Sequence, residues 1–177
     1  MVRLVFVLTV VSAVSSALLA AVYNMTKEPI AAALEQRTMQ AATQVMPAGL
    51  PEPEKVVVGG NTFFVCRQDG KVISIAVEGR TKNGYSGDVA LMVGMDVAEN
   101  KLVGYEVVVS TETPGLGTKI VSDSFRKPLL GKALGGNWTV KKDGGEVDAV
   151  TAATISSRAA LECIQDAISK MEQAGIQ

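Results

Sequence analysis

The sequence predicts an α+β fold, an antiparallel sheet with packed helices, preceded by one N-terminal transmembrane helix. Three observations predict it. Residues 1–25 contain a long uncharged apolar run, the middle of the chain alternates apolar runs with short polar turns, and the last twenty residues carry apolar side chains at helical spacing. With 177 residues and 47% hydrophobic content, the chain is long enough for one globular domain with a sizeable core.

The N-terminal run predicts a membrane anchor. Twenty residues without a charged side chain extend from Leu4 to Tyr23, and a helix needs about 20 residues to cross a bilayer. Arg3 lies before this run and Lys27 lies after it, and the positive-inside rule then places the N-terminus in the cytoplasm. We therefore expect an inner-membrane anchor at residues 1–25 and an extracytoplasmic domain at residues 26–177.

A cleavable signal peptide is the alternative for the same run. The small residues Ala17, Ala20 and Ala21 are compatible with a cleavage site. Signal peptides have apolar cores of about 7 to 15 residues, which is shorter than the run observed here. The length favours a retained anchor.

A second helix is expected after the anchor. Thr26 is predicted to cap it, with Pro29 in its first turn. Pro47 and Pro51 are predicted to end it. Its apolar side chains recur at helical spacing, at Ile30, Leu34, Ala41 and Val45.

Two hairpins predict the antiparallel sheet. Apolar runs flank the polar turn at residues 68–71, and a second pair of runs, Val89 to Met95 and Leu102 to Val109, flanks the turn at residues 98–100. Trp138 to Lys141 is predicted to form a further strand. The C-terminal helix packs its apolar face on the sheet, with Ala160, Ile164, Ala167, Ile168 and Met171 on that face.

Composition excludes several classes of function. The 17 basic and 18 acidic residues form no basic run, so a nucleic-acid partner is not expected. The chain has no histidine, which removes serine–histidine triads and most catalytic zinc sites. Cys66 and Cys163 lack the spacing of metal ligands; a disulfide and two buried free thiols both fit the sequence. Any redox chemistry must therefore come from a cofactor.

The segment at residues 148–154, immediately before the C-terminal helix, is the strongest functional motif. Thr154 is predicted at the N-cap, where unpaired N–H groups and the helix dipole would partly neutralise a phosphate on its oxygen. The alternative is an ordinary helix cap, a role that Thr151, Ser156 and Ser157 also offer.

Two further loops carry residues suited to a ligand. In residues 111–119, Gly115 and Gly117 allow close approach of the backbone, and Thr113, Thr118 and Lys119 supply donors to a polar edge or a phosphate. An ordinary tight turn is the alternative for this loop. In residues 84–87, Tyr85 and Ser86 lie between glycines, where a ring and a hydroxyl suit a planar ligand.

Together with the anchor, these three stretches resemble the FMN-binding subunits of ion-pumping respiratory complexes. These are the G subunit of the Rnf complex, which the length favours, and the C subunit of sodium-pumping NADH:quinone reductase. In this family an aspartate followed by Ser/Thr-Gly-Ala-Thr marks the threonine to which a magnesium-dependent flavin transferase attaches FMN from FAD. Asp148, Thr151, Ala153 and Thr154 match that pattern. Ala152 stands where the family has glycine, and its Cβ costs free energy if the site needs a positive φ.

The resemblance implies a fold and a function. The string from Glu112 to Gly117 is similar to the family's, as is the string at residues 84–87. One covalent FMN per chain is expected, held by a phosphoester to Thr154, in a redox subunit of a ferredoxin:NAD⁺ oxidoreductase-type translocase. The expected partners are the other subunits of the membrane complex and the flavin transferase. No catalytic residue, metal site or complete activity is expected in this chain alone. The expected cofactor-binding residues are Thr154, Thr151, Ala153, Asp148, Glu112, Thr113, Gly115, Leu116, Gly117, Thr118, Lys119, Tyr85 and Ser86.

Two other functions remain open from the sequence. One is a stand-alone membrane-anchored flavoprotein that transfers electrons outside the cytoplasm; recovery of multi-span partner subunits would distinguish the complex from it. The other is a non-redox ligand-sensing domain in which Thr154 only caps the helix. A colourless protein made beside an active flavin transferase would favour that second alternative.

Overall fold

A computed structural model describes residues 2–176 of the chain. The chain divides into two compact units, Met1–Arg37 and Thr38–Gln177. The α+β fold predicted from the sequence is confirmed. The helices are α1 (Val2–Gln44), α2 (Asp123–Arg126) and α3 (Thr154–Ala174), and the strands are β1 (Glu54–Val58), β2 (Asn61–Gln68), β3 (Lys71–Gly84), β4 (Gly87–Asp96) and β5 (Lys101–Ser110).

The first unit is helical throughout its described residues, and its side chains are exposed. By length and composition, α1 can cross a membrane. The prediction of a separate helix beginning at Thr26 is wrong, because α1 runs without a break and contains Pro29 in its interior. The Thr26 hydroxyl donates to the carbonyl of Val22 at 2.8 Å, a bond within the helix in place of a cap. The helix ends at Gln44, before Pro47, as predicted.

The sheet is an antiparallel meander in the order β1-β2-β3-β4-β5. The hairpins predicted around residues 68–71 and 98–100 are both confirmed. In the first, Asp69 and Gly70 have φ of 52° and 77°, as a two-residue turn matched to the sheet twist requires. Residues 84–87 form the turn of a third hairpin, since Gly84 pairs with Gly87 across β3 and β4.

The sheet is buried on both faces. Alternate side chains point to opposite faces, so Phe63 and Phe64 belong to two separate apolar clusters. The face that carries Phe63 is covered by α3, as predicted, and Ala160 and Ile164 are fully buried there. The opposite face is covered within the second unit by the last residues of α1 and those that follow it, namely Ala41, Ala42, Val45 and Met46.

Two glycines in the sheet allow α3 and the chain at the end of α1 to pack closely against the strands. A Cβ at Gly79 of β3 would lie 1.8 Å from the carbonyl oxygen of Cys163 in α3. A Cβ at Gly94 of β4 would lie 1.9 Å from the carbonyl oxygen of Val45. Any side chain at either position would push its helical segment away from the sheet.

Residues 111–153 connect the sheet to α3 mainly through short helical turns and irregular backbone. The predicted strand at Trp138 to Lys141 is wrong. Val140 makes a single isolated bridge to Val147, and a helical turn begins at Lys141. Trp138 is buried, and its Nε1 donates to the carbonyl of Leu134 at 2.8 Å. The apolar residue that suggested a strand is therefore a side chain buried in the core.

The two cysteines are free and buried. Cys66 belongs to the cluster beneath the end of α1, and Cys163 belongs to the cluster beneath α3, so the sheet separates them. The sequence was compatible with a disulfide and with two buried free thiols, and the structure has the two free thiols. Burial raises the pKa of the Cys163 thiol to about 12.

Candidate functional site

The N-terminus of α3 differs by one residue from the sequence prediction. Thr154 was predicted as the N-cap, but the N-cap is Ala153, and Thr154 is the first helical residue. The helical hydrogen bonds begin at Ala153, whose carbonyl accepts from the N–H of Ser157 at 3.0 Å. The Ser157 hydroxyl accepts from the N–H of Val150 and donates to the same carbonyl, both at 2.9 Å. These bonds fix the turn before the helix, and the Thr154 hydroxyl makes no hydrogen bond within residues 2–176.

Ala152 has a left-handed backbone. Its φ is 61°, a conformation that costs a residue with a Cβ roughly 1–2 kcal/mol. The positive φ considered from the sequence is therefore present, although alanine stands at this position. The strain lies two residues before Thr154, in the turn that leads into α3.

A cavity of about 360 Å³ lies beside this turn. It brings together the three stretches that the sequence singled out: the hairpin turn between β3 and β4, the loop after β5, and the start of α3. It is lined by Tyr85, Glu112, Thr113, Leu116, Gly117, Ala152, Ala153, Thr154, Ile155 and Ser156.

Glu112 connects the three stretches. Its side chain is buried, and its Oε1 accepts from the backbone N–H of Tyr85 at 2.7 Å. Its Oε2 accepts from the hydroxyl of Ser156 in the first turn of α3 at 2.8 Å. A single carboxylate thus joins the hairpin turn to the helix across the loop that contains it.

Two glycines leave the space that this carboxylate occupies. A Cβ at Gly117 would lie 2.2 Å from Oε2 of Glu112 and 2.7 Å from the hydroxyl oxygen of Ser156. A Cβ at Gly84 would lie 2.7 Å from Oε1 of Glu112. Both glycines are therefore required by close approach at the cavity wall.

A second cavity, of about 550 Å³, contains three other predicted residues. Asp148, Thr151 and Lys119 line it, and Thr151 is exposed there. Asp148 forms an exposed ion pair with Lys141 at 2.7 Å. The other residues that line the second cavity are Ser122, Ser124, Phe125, Ala149 and Val150. The structure thus places Thr151 and Thr154 at different cavities.

Three predicted residues line neither cavity. The Thr118 hydroxyl oxygen accepts from the N–H of Gly115 at 2.9 Å, and Gly115 has φ of 78°. The carbonyl of Ser86 accepts from the hydroxyl of Thr111 at 3.0 Å. These contacts shape the two loops, and the roles in cofactor binding predicted for Gly115, Thr118 and Ser86 remain predictions.

Sequence reasoning missed the lining residue Ile155. It is 43% exposed in the first turn of α3, and Leu116 and Tyr85, also at the cavity, are exposed as well. The available signal was a large apolar residue beside Thr154, outside the apolar face of the helix. Within residues 2–176, no group of three or more cysteine, aspartate and glutamate residues is placed to hold a metal ion.

Comparison with known proteins identifies what the chain is similar to. Residues 84–169 match the model of the FMN-binding domain family. The G subunit of the ion-translocating oxidoreductase complex of Escherichia coli (strain K12) is 34% identical, over 90% of this chain and 85% of that one. The corresponding protein of Shewanella baltica (strain OS223) is 30% identical, over 92% of this chain and 85% of that one.

A solved structure shares the fold. It is the C subunit of the Na⁺-translocating NADH-quinone reductase from Parabacteroides distasonis, with a TM-score of 0.51 and 23% identity. The match covers 64% of this chain and 61% of that chain. At this identity the likeness concerns the fold alone.

Proposed function

Because the chain belongs to the family of G subunits of ion-translocating oxidoreductase complexes, we propose that it is the electron-transfer subunit of an Rnf-type complex. It carries one FMN, bound covalently by a phosphoester to Thr154. The complex is of the ferredoxin:NAD⁺ oxidoreductase type, and the neighbouring redox subunits are the donor and acceptor of electrons. A separate flavin transferase attaches the cofactor.

The observation that carries the proposal is the position of Thr154. It lines the 360 Å³ cavity in the first turn of α3, and its hydroxyl makes no capping hydrogen bond. The N–H groups of that turn have no partner within the helix, and together with the helix dipole they favour an anion there. Thr151, the other hydroxyl of the motif, is exposed at the neighbouring cavity.

The residues at the cavity fit a flavin. Ligand pockets occupy about 300–1,000 Å³ and are mostly apolar with a few placed polar groups, and the volume of 360 Å³ falls in that range. Tyr85, Leu116 and Ile155 provide apolar surface for a planar ring, and Glu112 and Ser156 provide polar groups. When bound, FMN supplies reversible electron transfer, which no side chain of this chain offers.

The tether suits a protein domain outside the cytoplasm. A phosphoester joins the far end of the ribityl chain, so it retains the cofactor without altering the ring. A tethered cofactor stays at a high effective concentration beside its cavity, whereas a dissociated one would be diluted. We propose that α1 anchors the domain, with the N-terminus in the cytoplasm, the boundary after residue 25 and residues 26–177 outside.

Ion translocation is assigned to other subunits. The apolar run from Leu4 to Tyr23 has no charged residue, and ion pathways need polar or ionisable groups that face a protein interior. The function of this chain is therefore to relay electrons within the complex.

The test is substitution of the two threonines in cells that contain the flavin transferase. Thr154→Ala is expected to abolish covalent flavin, Thr154→Ser to retain an attachment oxygen, and Thr151→Ala to lower the yield at most. Flavin fluorescence of the denatured chain in a gel, with the mass of the modified peptide, reports the outcome. Fluorescence that persists in Thr154→Ala and vanishes in Thr151→Ala would move the bond to Thr151 and refute the assignment.

A further inference from the structure

Glu112 is a buried charge without a cationic partner among the described residues. Its side chain is 5% exposed, and within residues 2–176 no lysine or arginine forms an ion pair with it. Buried carboxylates are usually paired with a cation, because desolvation penalises the charge. This one instead lines the cavity that contains Thr154.

The hydrogen bonds around Glu112 fit an ionised carboxylate. Each oxygen accepts one bond, from the backbone N–H of Tyr85 at 2.7 Å and from the hydroxyl of Ser156 at 2.8 Å. Both donors are neutral, so they hold the carboxylate without cancelling its charge. Gly84 and Gly117 flank the two oxygens, since a Cβ at either position would lie within 2.7 Å of one of them.

We propose that Glu112 sets the reduction potential of the flavin, by keeping a fixed negative charge on the wall of its cavity. This inference rests on the proposed function. Reduction adds two electrons and one proton to the oxidised ring and so makes its charge more negative by one unit. A negative charge held beside the ring opposes that change, and the flavin becomes harder to reduce.

The size of the effect follows from Coulomb's law. A unit charge acting over roughly 10 Å at an effective dielectric constant near 20 changes an equilibrium constant by more than about tenfold. For a two-electron couple, a tenfold change corresponds to about 30 mV. Removal of the charge should therefore raise the midpoint potential by at least that amount.

The experiment is a spectroelectrochemical titration, with dithionite as reductant, of the full-length flavin-loaded chain in detergent. Glu112→Gln keeps the shape of the side chain and removes its charge. The midpoint potential should therefore rise by at least about 30 mV, which corresponds to a tenfold change in the equilibrium constant for reduction. Glu99→Gln is the matched control. Glu99 is exposed in the turn between β4 and β5, at the other end of β4 from the cavity, and its loss should leave the potential unchanged.

Ser156→Ala gives a second variant in case Glu112→Gln does not retain flavin. It keeps the carboxylate and removes one donor that disperses its charge, so the potential should fall. An unchanged potential in Glu112→Gln, or in Ser156→Ala where the first variant fails to load, overturns the inference. A wild-type chain without covalent flavin refutes the proposed function, and the inference with it; a loaded wild type with an unaltered variant potential refutes the inference alone.

Discussion

Replacing Ala152 by glycine should stabilise the folded chain. Ala152 has φ of 61°, and a left-handed conformation costs a residue with a Cβ roughly 1–2 kcal/mol. Glycine removes that strain but increases the entropy lost on folding, by roughly 0.5–1 kcal/mol. The two ranges leave a net gain of about 0 to 1.5 kcal/mol. For a chain of this size, each kcal/mol shifts Tm by about 2–4 °C.

The assay is denaturant unfolding, with a thermal scan, of flavin-free protein in detergent, so that a bound cofactor does not contribute to stability. Ala98→Gly is the control. Ala98 is exposed in the turn between β4 and β5 and lacks a positive φ. Glycine there brings only the entropic loss, so that variant should be less stable than wild type.

The two variants should therefore change the free energy of unfolding in opposite directions. If Ala152→Gly destabilises the chain as much as Ala98→Gly does, the backbone at residue 152 is not strained and the reasoning is refuted. Relief of strain beside Thr154 should also speed covalent loading, which the initial rate of in-gel flavin fluorescence measures.

Three further predictions concern the same domain. Ser157→Ala leaves a backbone N–H unpaired and should cost about 1–3 kcal/mol in urea unfolding, whereas Thr154→Ala should change stability by less than about 0.5 kcal/mol; equal losses would make Thr154 a cap after all. Gly117→Val should disrupt flavin seating by driving a Cβ into a buried carboxylate oxygen, and Lys119→Ala, at the neighbouring cavity, should weaken it less, by loss of a donor; unchanged flavin spectra and potentials in both would remove this loop from the site. Because burial raises the pKa of Cys163 to about 12, the folded state holds that proton more tightly than the unfolded state does. The contribution of this thiol to the free energy of unfolding is complete below about pH 8.5 and is lost as pH rises towards 12, at up to about 1.4 kcal/mol per pH unit. A Cys163→Ala chain whose free energy of unfolding falls equally steeply between pH 8 and 10 would contradict this.

Local chemistry explains which elements the sequence predicts correctly. Asp69 and Gly70 form an Asp-Gly pair, which adopts the positive φ of a two-residue turn. The apolar residues of α3 recur at the helical period. The start of a helix at Thr26 depended instead on where the preceding helix ended. Nothing near Thr26 breaks α1, so a residue suited to a cap lies in the helix interior.

The candidate site was predictable in its parts but not in its arrangement. The sequence indicated that three stretches act together, and most of their residues line one cavity. It did not indicate that Thr151 and Thr154 lie at different cavities, because the left-handed turn at Ala152 between them is a feature of the folded backbone. Nor did it indicate that Glu112 holds the loops together, since its partners lie 27 and 44 residues away along the chain.

The charges around α3 provide a reason why the proposed FMN would be held covalently. The first turn of α3 contains no acidic residue, but Glu112 brings a carboxylate to it through Ser156. A helix N-terminus acts as roughly half a positive charge, which does not fully balance that carboxylate. Free FMN would add a phosphate monoester with a charge of about −1.5 to −2. FMN joined to a threonine would instead carry a phosphodiester, which has only one ionised oxygen. The proposed attachment to Thr154 would therefore lessen the repulsion that a dissociable phosphate would meet. It follows that Thr154→Ala should bind added FMN weakly, and that Glu112→Gln in the same background should bind it more tightly, as quenching of flavin fluorescence would measure.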